Sequence, residues 1–179
     1  MCTHRYVIQL QAATTMSLRS IQAPLYEPLN PTTSEIRPLE ISFPADDEHP
    51  QYTLSTVSLN DRPKFAALSY VWGDPTTTED IAINGHTLPI TKNLAGALRN
   101  VLPSWKVNFP EEDPKSVRLW ADAVSVNQQD LQERSQQVQL MRSIYSSAAI
   151  VFHQWVKELT YGSTENTKFS LKVSTFKII

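Results

Sequence analysis

The sequence predicts an α/β fold: a mostly parallel central sheet flanked by helices, with an added antiparallel hairpin. Three observations carry that prediction. Phe65 to Val71 and Val117 to Val126 are apolar runs of strand length, and continuous apolar runs mark strands buried on both faces. The second run leads through polar Asn127, Gln128, Gln129 and Asp130 into a segment of helical period, then into the apolar run Ala149 to Phe152. Strand, helix and strand joined by short connections form a right-handed βαβ unit. Finally, Asn84-Gly85 stands between two short apolar runs, and both residues tolerate the positive φ of a type I′ hairpin turn.

The elements follow in chain order. Residues 1–20 lack a clear pattern and are expected to form a disordered extension, with only a faint presequence character in Arg5 and Arg19 without acids. Seven of the twelve prolines fall before residue 65, which rules out long helices there. Two extended runs fit between them, Ile36 to Phe43 and Tyr52 to Leu59, expected as an edge hairpin or meander. Phe65 to Val71 then exits sharply at Trp72-Gly73-Asp74-Pro75. Pro89 makes the returning hairpin strand an edge strand. Thr91 or Asn93 caps a helix whose stripe is Leu94, Ala97, Leu98 and Val101, and Pro103 is expected to end it. Ser104 to Ser116 reads as an exposed loop. Asp130 with Glu133 makes an acidic capping box worth ~1 kcal/mol at the next helix start. That helix is expected to bury Val138, Met141, Tyr145 and Ala148, with Ile144 beside them.

Composition narrows the function. The 16 basic and 18 acidic side chains give a net charge of −2, which does not point to nucleic acid. The single cysteine, Cys2, excludes an internal disulfide and a cysteine-based zinc cluster. The four histidines are scattered, so no metal site is expected. No apolar run reaches the ~20 residues of a membrane span. Neither G-x-S-x-G nor a phosphate-cradling glycine loop occurs, and no cofactor is evident.

In parallel sheets ligands collect at the carboxyl ends of strands. If the two apolar strands are parallel neighbours, Ser69, Tyr70, Trp72, Gly73 and Asp74 share an edge with Asp122, Asn127, Gln128 and Asp130, rimmed by Glu133, Arg134 and Gln137. Asp122 and Glu133 are the candidate catalytic acids; the others, with Asp122, are candidate binding residues. Each has a structural reading too. Asp122, inside an apolar run, needs hydrogen bonds or a partner such as Arg134. Glu133 suits a cap, and Trp72 and Trp120 suit a core.

Three blocks in order resemble the fungal heterokaryon incompatibility domain, or HET domain: Ala67-Leu68-Ser69-Tyr70-Val71-Trp72-Gly73-Asp74, then Trp120 through Gln137, then Met141, Ile144, Tyr145 and Ala148. The resemblance starts near Tyr26 and covers residues 21–152. The segment 153–179 departs from the family pattern, as in a C-terminally truncated member. The resemblance implies a distantly TIR-like or flavodoxin-like sheet. It also implies a cytoplasmic effector module of non-self recognition that triggers programmed cell death through protein partners or self-association. The enzymatic alternative is TIR-like NAD cleavage by a glutamate, with NAD as the cofactor or substrate. Glu158 lies where such a glutamate would fall but inside the atypical tail. A third reading is an inert fragment that lacks a packing layer.

Overall fold

The computed structural model describes residues 24–43, 49–112, 116–157 and 168–174; the expected N-terminal extension and Glu158 lie outside them. The strands are β1 (Glu35–Ile36), β2 (Leu39–Ser42), β3 (Gln51–Leu54), β4 (Val57–Ser58), β5 (Ala66–Ser69), β6 (Thr78–Ile83), β7 (His86–Thr91), β8 (Ser116–Trp120), β9 (Ile150–Lys157) and β10 (Lys168–Ser174). The helices are α1 (Lys92–Asn108), the single turn α2 (Asp122–Ser125) and α3 (Leu131–Ser147). An eight-stranded sheet runs β10-β9-β5-β8-β2-β3-β6-β7, and β1 and β4 form a separate ribbon.

The alternation of side chains along a strand decides what each face packs against. Ala66 and Leu68 of β5, Leu119 of β8, and Ile150 and Phe152 of β9 pack with Leu94, Ala97, Leu98 and Val101 of α1. Ala67, Trp120 and Val151 face the other way and pack with Ile144 of α3 and Ala148 just beyond it. The sheet is therefore sandwiched between α1 and α3, and β5 is buried on both faces as its continuous apolar run implies.

The sheet is mixed, which corrects the mostly parallel expectation. β5 pairs parallel with β8 and with β9. β2 pairs antiparallel with both β3 and β8, and β9 with β10. The run Ile36 to Phe43 breaks at Arg37-Pro38, so β1 leaves the main sheet while β2 enters it between β8 and β3, well away from an edge. Leu39 and Ile41 are fully buried, the burial of an interior strand. Among the described residues the parallel pairings are the β8-β5-β9 block and the β3–β6 pair, short of the all-parallel order of a flavodoxin-like sheet. β5 also lies between β8 and β9, so the βαβ unit skips one strand. The Asn84-Gly85 hairpin forms as expected, with positive φ at both residues and β7 on the edge.

α1 does not stop at Pro103 but continues to Asn108. A proline inside a helix costs ~3 kcal/mol. The extra turn buries Trp105, which stacks at 4.5 Å on Phe109 under the Lys64 ammonium. Burying an indole is worth several kcal/mol at ~25 cal/mol per Å², enough to offset the proline. β9 runs on to Lys157 and pairs with β10, so part of the segment after residue 152 joins the sheet.

Candidate functional site

β5 and β8 run side by side in the same direction, with Ala66 opposite Leu119 and Ala67 opposite Trp120. Their carboxyl ends therefore open at one edge. The strand ending in Trp120 does not continue to Val126 as expected: the chain turns at Ala121 into α2. The Ser125 hydroxyl accepts the Ala121 N–H at 3.0 Å and fixes that turn. Asp122 thus opens a helical turn instead of sitting inside a strand.

The Asp122 carboxylate accepts the Ala123 N–H at 2.9 Å and the Trp72 indole N–H at 3.0 and 3.2 Å. Burial pushes its carboxyl above the usual range, against the pull of those two donors. Arg134 makes no ion pair with it. The Gln128 side chain donates to the Asp122 carbonyl at 2.8 Å. Tyr70 and Tyr145 stand close enough to feel the carboxylate. Burial first and that charge second push the Tyr70 hydroxyl far up and the Tyr145 hydroxyl up to about 12. Tyr145 donates to the Leu68 carbonyl at 3.1 Å, whereas the buried Tyr70 hydroxyl makes no hydrogen bond of good geometry.

Trp72, Asp122 and Gln128 border a pocket of about 150 Å³, lined further by Trp120, Val126, Arg134, Gln137, Val138 and Met141. Five of the eleven expected binding residues, Trp72, Asp122, Gln128, Arg134 and Gln137, meet there. The other six do not line it. Ser69 ends β5 opposite His153. Asp74 is exposed and accepts from Thr76 and Thr77, which hold its carboxyl below the usual range. Asn127 accepts the Gln129 N–H. Asp130 caps α3 by accepting from the Gln132 and Glu133 N–H groups at 2.9 and 3.0 Å. Gly73 adopts φ +76°, and a Cβ there would lie 2.5 Å from the Asn93 amide. That amide donates to the Val71 carbonyl at 3.1 Å, tying the loop that carries Trp72 to the start of α1.

Glu133 does not close a reciprocal capping box. Its two oxygens accept from Arg37 at 2.9 and 3.1 Å, and one also accepts the Asn127 N–H at 2.7 Å. Arg37 and Glu133 are only 2% and 7% exposed. The guanidinium reaches the Ser125 and Glu27 carbonyls and lies 5.1 Å from the Tyr26 ring centre. Sequence reasoning missed Arg37. The available signal was a charge set between apolar Ile36 and Leu39, next to a proline. The helix stripe was also misplaced: Val138 is 64% exposed, and Ile144 holds the core position.

A family model described as "Heterokaryon incompatibility protein (HET)" matches residues 65–174, which include both strand-end junctions and most of the sheet. The chain belongs to the HET family. Over 97 residues it is 37% identical to "Heterokaryon incompatibility protein 6, OR allele" of Neurospora crassa, an alignment covering 52% of this chain and 14% of that relative. This HET chain therefore matches only a small part of the relative's length. No solved structure matches it. Among the described residues no helix is long and apolar enough to cross a membrane.

Proposed function

We propose that this chain is a cytoplasmic effector module of fungal heterokaryon incompatibility, which triggers programmed cell death when a protein partner or a second copy engages the strand-end pocket. The observation that carries the reading is the pocket itself, where exposed apolar surface meets a few convergent polar groups. Trp72 is 45% exposed and Val138 more so, and both line the pocket, exposed apolar surface of the kind found at interaction sites. At about 150 Å³ the pocket falls below the ~300–1,000 Å³ common for small-molecule sites. That size favours one inserted side chain over a dinucleotide. Glu133, an acid considered for NAD cleavage, has both oxygens committed to Arg37. The name of the Neurospora relative supports the incompatibility role.

Induced expression in a fungal host tests the proposal, with Trp72→Ala and Asp122→Ala as comparisons and soluble, folded protein verified for each. Death with the wild-type chain and survival with both variants is the expected result. Death that persists undiminished in both variants would sink the pocket as the effector surface. Cellular NAD measured in the same cultures separates docking from turnover: loss of NAD preceding death would favour the enzyme.

A further inference from the structure

α3 carries apolar side chains that the fold leaves outside. Its inner face buries Glu133, Gln137 and Ile144. On its outer face stand Leu131, 75% exposed, and Val138, and exposed Ser135 and Arg142 complete the same line. Leu131, Ser135, Val138 and Arg142 follow one another at steps of four, three and four residues. That is the spacing of a seam that packs against a second helix. The line is about 16 Å long at 1.5 Å per residue, roughly three turns of a partner helix. Val138, together with Met141, also walls the pocket beside Trp72, so the line and the pocket make one continuous surface.

Charge selects the occupant. Arg134 and Arg142 are exposed, and among the described residues neither makes an ion pair or a side-chain hydrogen bond. No acid of α3 answers them. Glu133 is buried against Arg37, and Asp130, before the first turn, spends its carboxylate on the cap. Asp122, half-buried in the pocket, is already held by Trp72 and Ala123. A second copy packed α3 against α3 would therefore bring unpaired arginines together. An anionic membrane is held by clusters of about 4–8 basic residues, whereas α3 has only these two. An uncharged helix would cover Leu131 and Val138 but strip water from both guanidinium groups without replacing it. A helix whose apolar stripe is flanked by carboxylates meets both needs.

We propose that the outer face of α3, along Leu131, Ser135, Val138 and Arg142, docks an acidic amphipathic helix of a protein partner, with Arg134 and Arg142 pairing its carboxylates. This rests on the docking reading above, extends its surface beyond the pocket and names the partner's chemistry.

The test follows the Leu131 and Val138 methyl signals of the ¹³C-methyl-labelled full chain by NMR, with Leu131→Ala and Val138→Ala identifying them. Three hydrocarbon-stapled helical peptides are titrated. They share one leucine stripe and carry Glu, Lys or Gln on both flanks. The expected result is a saturable shift of both signals with the Glu peptide, about fivefold tighter than with the Gln peptide and weakest with the Lys peptide. The preference should shrink as added salt screens the exposed pairs. Changing both arginines, Arg134→Glu with Arg142→Glu, should reverse the order, and the wild-type comparisons decide the matter even if that variant does not fold. Equal affinity for the three peptides, or methyl signals that stay put at saturating peptide, would overturn the proposal. Phosphatidylserine vesicles that bind the chain more tightly than the Glu peptide does would overturn the assignment to a protein helix. A dimer of the chain that is lost on Val138→Asp would give the face to a second copy instead. Host-cell death that needs Trp72 but persists in the folded double Glu variant would reject the α3 face and leave the docking reading standing.

Discussion

Glu133→Gln removes a charge from a place where water cannot replace it. The carboxylate neutralises Arg37, which is 2% exposed, and also accepts the Asn127 N–H. The substitution keeps the shape but leaves the guanidinium buried without its counter-charge. Breaking one side of a buried pair typically costs ~3–5 kcal/mol, against a total domain stability of ~5–15 kcal/mol. At roughly 2–4 °C per kcal/mol for a domain of this size, the melting temperature should fall by about 6–20 °C. Thermal and urea unfolding followed by circular dichroism read this directly. The control is the double variant Arg37→Met with Glu133→Leu, which removes both charges. It should be far less destabilised than the two single changes added together, with a coupling of ~2 kcal/mol or more. A Glu133→Gln loss under ~1 kcal/mol, or strict additivity in the cycle, would refute the ion pair as the link between Arg37 and the α3 start.

Other outcomes follow from the same geometry. Gly73→Ala combines a positive φ with a Cβ 2.5 Å from Asn93 and should cost ~1–3 kcal/mol; adding Asn93→Ala should recover part of that loss by relieving the clash. Burial raises the Asp122 carboxyl, so the folded state holds that proton more tightly than the unfolded chain. Stability from this group is present at low pH and lost as pH rises through the shifted value. Asp122→Asn should therefore raise the urea midpoint at neutral pH, and the advantage should shrink as pH falls toward ~4. The same change should lower the Tyr145 titration from about 12, because a negative neighbour is gone; an unchanged ultraviolet titration would count against that contact. Tyr145→Phe loses the bond to the Leu68 carbonyl and should cost ~0.5–1.5 kcal/mol in urea unfolding.

Much of this was legible in the chain because it is local. The continuous run around Ala67, the Asn84-Gly85 turn, the stripe from Leu94 to Val101 and the Asp130 cap are each decided within a few residues. The failures involve partners far away in sequence. No local pattern says that β2 inserts between β8 and β3, or that Trp105 outweighs Pro103. Asp122 was recognised as needing partners, but its donor, Trp72, lies fifty residues upstream, and Glu133 fits a cap by spacing alone until Arg37 is brought to it. The pocket was half legible for a related reason. Strand ends locate its mouth, whereas its walls at Val126, Val138 and Met141 depend on how α3 is rotated.

The place of β5 bears on how the chain comes to fold. β5 holds the centre of the sheet, yet its partners β8 and β9 follow roughly 50 and roughly 80 residues later. During synthesis its apolar face and both unpaired edges wait for those strands to emerge. Long-range pairing of this kind slows folding and prolongs exposure of sticky segments. The edges of β5 therefore stay unpaired until β9 arrives, and the Trp72 pocket, bordered by the ends of β5 and β8, can mature only late in folding.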